Sequence, residues 1–124
     1  MMKKLSADEQ AYCIKRVLFW QSLWGVAGWE IAVIFGKCEG NSRAETSFNF
    51  GGRIATVLFS LNFDTNWTQE ELDKTALHEV LEVFFSTGRR IIADDLYDEI
   101  VHEWIRTIEN EIYPLLKEVS IENH

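Results

Sequence analysis

The chain has 124 residues and a formal net charge of −8, from 20 acidic and 12 basic side chains. Hydrophobic residues make up 47% and charged residues 26%, with one Pro and seven Gly, which excludes disordered and collagen-like chains and predicts one globular domain over residues 1–124. The acidic surplus repels phosphate backbones and argues against nucleic acid as a partner. A nucleic-acid mimic would carry a dense carboxylate stripe, whereas here the acids are interleaved with Leu, Ile and Trp.

Two cysteines, Cys13 and Cys38, make no disulfide framework and no Cys-x-x-Cys pair. Both lie in apolar segments, where a thiol packs as a small hydrophobe, and the expected setting is a reducing cytoplasm. Met1-Met2-Lys3-Lys4-Leu5 begins like a signal peptide, but Ala7-Asp8-Glu9-Gln10 stands where the apolar region belongs. Val17 to Gly36 carries Glu30 as its only charge and is about long enough to cross a bilayer. Gly25 and Gly28 interrupt that run and its period changes there, so no membrane span is expected.

Ser6 with Glu9 forms a capping-box signature, and Tyr12, Ile14, Val17, Leu18, Leu23 and Trp24 supply the apolar face of a helix from about Ala7 to Trp24. Lys15 and Arg16 fall on its polar side. Trp29, Ile31, Val33 and Phe35 then alternate as one face of a strand. A second strand runs from Glu45 to Phe50, and Gly51-Gly52 suits a tight hairpin because glycine adopts positive φ without steric cost. Arg53 to Phe63 reads as one long strand with Ala55, Val57, Phe59, Leu61 and Phe63 on one side. Short turns between these strands predict a three-stranded antiparallel meander.

Thr68 with Glu71 opens the next helix, Trp67 is placed as its hydrophobic staple to Leu72, and Gly88 is its stop signal. Leu72, Leu77, Leu81 and Phe84 mark its apolar face. Arg89-Arg90 complements the end of that helix. A last helix starts at Asp94 or Asp95 and carries Leu96, Ile100, Trp104, Ile108 and Ile112. Pro114 ends or kinks it, and Val119 to His124 is expected to fray. The fold class is therefore α+β: an N-terminal helix, the meander, and two C-terminal helices.

The segment Thr75-Ala76-Leu77-His78-Glu79-Val80-Leu81-Glu82-Val83-Phe84 carries the chemistry. His78 and Glu82, at i and i+4, project from one helix face, where an imidazole nitrogen and a carboxylate oxygen can hold one divalent cation. Glu79 points about a quarter-turn away, the position from which the glutamate of H-E-x-x-H serves as general base. Here the second histidine is Glu82, so the motif is H-E-x-x-E. A third ligand must come from Asp98, Glu99, His102 or Glu103 on the last helix. His102 is the first choice because it restores nitrogen character, Glu99 is the second, and Asp98 is placed to orient the His102 ring.

The layout resembles the minimal zincin-like metallopeptidase domains, including small phage and prophage members. Arg53–Asn62 is similar to the strand before their active helix, Ala76–Glu82 to the active helix itself, and Val101–Glu109 to the closing helix. The resemblance spans roughly Trp29 to Ile112. It implies a zinc-dependent peptidase or hydrolase, with His78 as a zinc ligand and Glu79 as the general base. Glu82 departs from the family motif: a carboxylate ligand leaves the metal less electrophilic and its water less activated. A peptide or protein substrate is expected to add as a strand to the exposed edge of the last long strand.

Two other readings stand beside this one. Glu99-x-x-His102 is half of the carboxylate-bridged di-iron motif, but that site needs four helices, and the strands consume too much chain. The second is a non-enzymatic, phage-type interaction module that binds a host or partner protein through an acidic, Trp-rich surface; exposed aromatic residues would also suit association with a second copy. Gly-rich phosphate loops and nucleophile elbows are absent from the sequence.

Overall fold

The computed structural model describes residues 2–24, 26, 28–40, 42–64, 68–86 and 94–122. Its elements in chain order are β1 (Met2–Lys4), α1 (Ala7–Leu23), β2 (Glu30–Gly36), β3 (Ala44–Asn49), β4 (Ile54–Ser60), β5 (Asn62–Asp64), α2 (Gln69–Phe85), α3 (Asp94–Thr107), a π-helical turn (Ile108–Ile112) and α4 (Tyr113–Glu122). The fold class is α+β. The chain divides into two compact units, Met1–Phe84 and Phe85–His124. The expectations for Trp67, Gly88 and Arg89-Arg90 fall outside the described residues.

In the first unit α1 begins as its sequence dictates. Ser6 Oγ accepts from the Glu9 backbone N–H at 3.1 Å, and the Glu9 carboxylate accepts from the Ser6 N–H at 2.8 Å. Two orphan donors of the first turn are thereby satisfied. The buried face is Cys13, Arg16, Val17 and Trp20, while Ile14, Leu18 and Leu23 are exposed. The expected sides hold for Val17, buried, and Lys15, exposed, but not for Ile14, Leu18 and Leu23, nor for Arg16, assigned to the polar face and 3% exposed. It is tolerated there because α2 supplies an acidic partner, Asp73.

The main sheet has strand order β2-β4-β3. β3 and β4 form the expected antiparallel hairpin, but β2 lies parallel to β4 on its other side, so the sheet is mixed rather than an antiparallel meander. The segment after β2 crosses the sheet instead of turning back on it. The long central strand therefore has both edges paired, which removes the open edge expected of it. The expected single strand also divides: β5 leaves the main sheet and pairs antiparallel with β1, with Leu5 N–H bonded to Leu61 C=O at 2.8 Å.

In the Gly51-Gly52 turn the positive φ falls on Arg53, at 52°, and not on either glycine. Ala55, Val57 and Phe59 are fully buried, on the face the alternation predicts. Phe35 stacks on Phe59 with centroids 5.8 Å apart, and Trp29 meets Phe48 and Phe50 edge-on near the hairpin end.

The ladder also fixes which backbone groups face outward. Glu30 N–H bonds Arg53 C=O, and Leu61 N–H bonds Gly36 C=O. Glu30, Ala32, Ile34 and Gly36 thus turn their amides toward β4, and Ile31, Val33 and Phe35 turn theirs to the opposite edge. On the far side Ser60 N–H bonds Arg43 C=O, which leaves Ala44, Thr46 and Phe48 facing outward from β3.

α2 starts with Thr68 Oγ1 accepting from the Glu71 N–H at 3.2 Å. Its buried residues include Leu72, Ala76, Leu77, Val80, Leu81 and Val83, and Phe84 is exposed rather than part of the core. Trp24 meets Phe84 edge-on at 5.4 Å.

In the second unit α3 buries Val101 and Ile105, with Ile108 of the π turn also buried. Leu96 and Trp104, expected in the stripe, are half exposed. Phe85 packs against Trp104 with centroids 5.4 Å apart. The π turn ends at Ile112, one residue short of the Tyr113-Pro114 step, and Pro114 has no N–H to give the preceding turn; widening that turn lets the helix continue around it. α4 then runs to Glu122, past the point where fraying is expected. Among the described residues no helix is long and apolar enough to cross a membrane.

Candidate functional site

α2 presents its motif on two faces. His78 and Glu82 stand one turn apart with Nε2 and Oε1 separated by 3.6 Å; the His78 side chain is 37% exposed and that of Glu82 13%. Two ligands of one tetrahedral zinc, with bonds of ~2.0 Å, sit about 3.3 Å from each other. The pair therefore fits two corners of a cation site with little adjustment.

Glu79 lies on the buried side, 5% exposed. Thr46 Oγ1 of β3 donates to Glu79 Oε1 at 2.9 Å. The motif's two carboxylates are thus divided: Glu82 is beside His78, and Glu79 is held against the sheet. Near the start of α2, Arg43 pairs with Glu71 at 3.0 Å and anchors the beginning of β3 to the same helix. Cys38 is buried close by. Burial pushes its thiol pKa up to about 11, aided by the negative charges of Glu45 and Glu79. That thiol is protonated at neutral pH and is no nucleophile.

Glu99 and His102 lie on α3 of the second unit, both exposed, and Asp98 is half-buried there. Among the described residues no group of three or more His, Cys, Asp or Glu side chains is arranged to hold a metal ion.

The most tightly built polar cluster is one that helix periodicity hid. Arg16 Nε donates to Asp73 Oδ1 at 2.7 Å, and Trp20 Nε1 donates to the same oxygen at 2.8 Å. The Arg16 guanidinium also lies 4.3 Å from the Phe19 ring centroid. Tyr12 is next to it, its pKa raised by burial first and by the Asp73 charge second. The available signal was Arg16 at i+3 from Cys13 and i−4 from Trp20, a position on the apolar stripe. A charge there demands a buried counter-charge, and Asp73 is the answer. Its role is to fasten α1 to α2.

Comparison with known proteins adds no identification: no family model matches the chain, and no significant match is found among curated proteins or solved structures.

Proposed function

We propose that the chain is a zinc-binding, peptidase-like protein whose α2 contributes His78 and Glu82 as two ligands and Glu79 as general base. The observation that carries this reading is the 3.6 Å approach of the His78 imidazole to the well-shielded Glu82 carboxylate. Zinc held there would polarise a carbonyl and acidify a bound water. Glu79 would take the water's proton on its carboxylate, with Thr46 orienting that group through Oε1. The proposed substrate is an extended peptide added to the outward edge of β3, where Ala44, Thr46 and Phe48 present their backbone groups beside α2.

The test is zinc titration of untagged protein followed by thermal melting. Near-equimolar binding with a raised Tm is expected, lost in His78→Ala. Protein that takes up no zinc, or takes it up equally well as His78→Ala, removes the reading.

A second reading, a non-enzymatic protein-binding module, is favoured by Ile14 and Leu18, exposed on consecutive turns of α1. Glu79→Gln separates the two. It abolishes peptide hydrolysis under the first reading, whereas under the second the unsubstituted protein has no hydrolysis to lose.

A further inference from the structure

We propose that the protein forms a symmetric dimer by antiparallel pairing of β2 with β2 of a second copy. Among the described residues β2 is an edge strand, its one ladder being the parallel register of Glu30–Gly36 with Ile54–Ser60. The outward N–H and C=O groups of Ile31, Val33 and Phe35 bond to no other described residue. Edge strands normally carry a device against pairing: an internal lysine, a proline, a bulge or a covering segment. β2 has no internal charge and no proline, and its register runs without a bulge. Its solvent face instead offers Ala32 and Ile34, the latter 48% exposed.

The pattern is self-complementary about Val33. A twofold axis there sets Val33 opposite Val33 of the second copy, Ile31 opposite Phe35, and Ala32 opposite Ile34. The outward-facing residues are then the ones that meet, so the Val33–Val33 and Ile31–Phe35 pairs each exchange both backbone hydrogen bonds, while Ala32 and Ile34 meet through their side chains. The result is a continuous sheet across two copies. Symmetry fixes the direction. A twofold axis that paired this edge in parallel would set the half-buried face of one β2 beside the solvent face of the other, whereas the antiparallel arrangement keeps Ile31, Val33 and Phe35 of both copies on one side of the sheet. β3, the other edge, is a poorer candidate because Glu45, Ser47 and Asn49 line its solvent face.

The experiment is sedimentation equilibrium of the full chain over a wide concentration range, with circular dichroism as the folding control. Wild type is expected to show a monomer–dimer equilibrium. Ile34→Lys puts a charge on the solvent face and is expected to be monomeric with an unchanged spectrum. Val33→Pro removes an N–H that points away from β4, so it is expected to do the same; if it does not fold, Ile34→Lys decides. Ser47→Lys, on the opposite edge, is expected to dimerise like wild type. A monomer at every concentration overturns the proposal. So does a dimer that survives Ile34→Lys.

Discussion

Thr46 on the edge strand β3 donates its hydroxyl to the buried carboxylate of Glu79 on α2, at 2.9 Å. One bond thus ties the sheet to the helix that carries the candidate metal pair. Thr46→Val keeps the shape and deletes the donor, so a buried carboxylate loses a hydrogen bond. A loss of about 1–3 kcal/mol is expected in urea unfolding. Glu79→Gln still offers an oxygen to the hydroxyl and should cost less. Equal costs for the two variants would mean that the carboxylate charge, not the hydroxyl bond, governs the site.

Arg16 and Asp73 form the other link between layers, in a setting where each is 3% exposed. Asp73→Ala strands a buried guanidinium and should cost about 3–5 kcal/mol. The double variant Arg16→Met with Asp73→Leu replaces the pair by apolar volume and should recover most of that loss. Chemical denaturation of the two single variants and the double variant gives the coupling directly. A double variant as unstable as the sum of its singles would show that packing, not charge, holds α1 to α2.

Local chemistry in the sequence predicted local structure well. The Ser6–Glu9 box, the Thr68 cap and the Ala55-Val57-Phe59 alternation depend on neighbours within a few residues, and all are present. Pairing choices depend on distant residues and were not legible. Nothing in Glu30–Gly36 says that it will lie parallel to β4, because an apolar strand satisfies either side of a central one. The split after Ser60 arises from β1, a three-residue partner too short for any periodicity to reveal. Helix faces were misplaced for a related reason. Between Tyr12 and Trp20 of α1 only Lys15 and Arg16 are polar, so the hydrophobic pattern alone could not choose between Cys13-Val17-Trp20 and Ile14-Leu18; the Arg16–Asp73 pair chose. The candidate site was legible in its i, i+4 half, His78 with Glu82. The inward commitment of Glu79 was not, since it depends on Thr46 across the sheet.

Arg53 occupies the left-handed region at φ 52° although two glycines precede it in the same turn. A side chain there carries a steric cost that glycine avoids. Arg53→Gly should therefore stabilise the hairpin by roughly 0.5–1 kcal/mol, less what the freer unfolded chain gives back. Gly51→Ala, at a position without positive φ, should be close to neutral or slightly stabilising. Thermal melts of both variants check the assignment. A loss of stability in Arg53→Gly would show that contacts of the arginine side chain outweigh the strain.

The two thiols set an alkaline limit on stability. Burial is the main cause raising Cys13 from the usual 9.0 to about 12, with the Glu9 charge second. Cys38 is raised to about 11, again chiefly by burial. In the unfolded chain both ionise near the usual value, so above it the unfolded state binds fewer protons than the folded one. The contribution these thiols make is then complete below pH 9 and declines as pH rises toward 11 and 12. Cys13→Ala should unfold less steeply with pH in that window, even though it leaves a small cavity and starts from a lower stability at neutral pH. The same burial predicts slow alkylation of both thiols in the native protein and rapid alkylation in denaturant. Fast native labelling of Cys13 would contradict its placement against Val17 and Trp20 in the core.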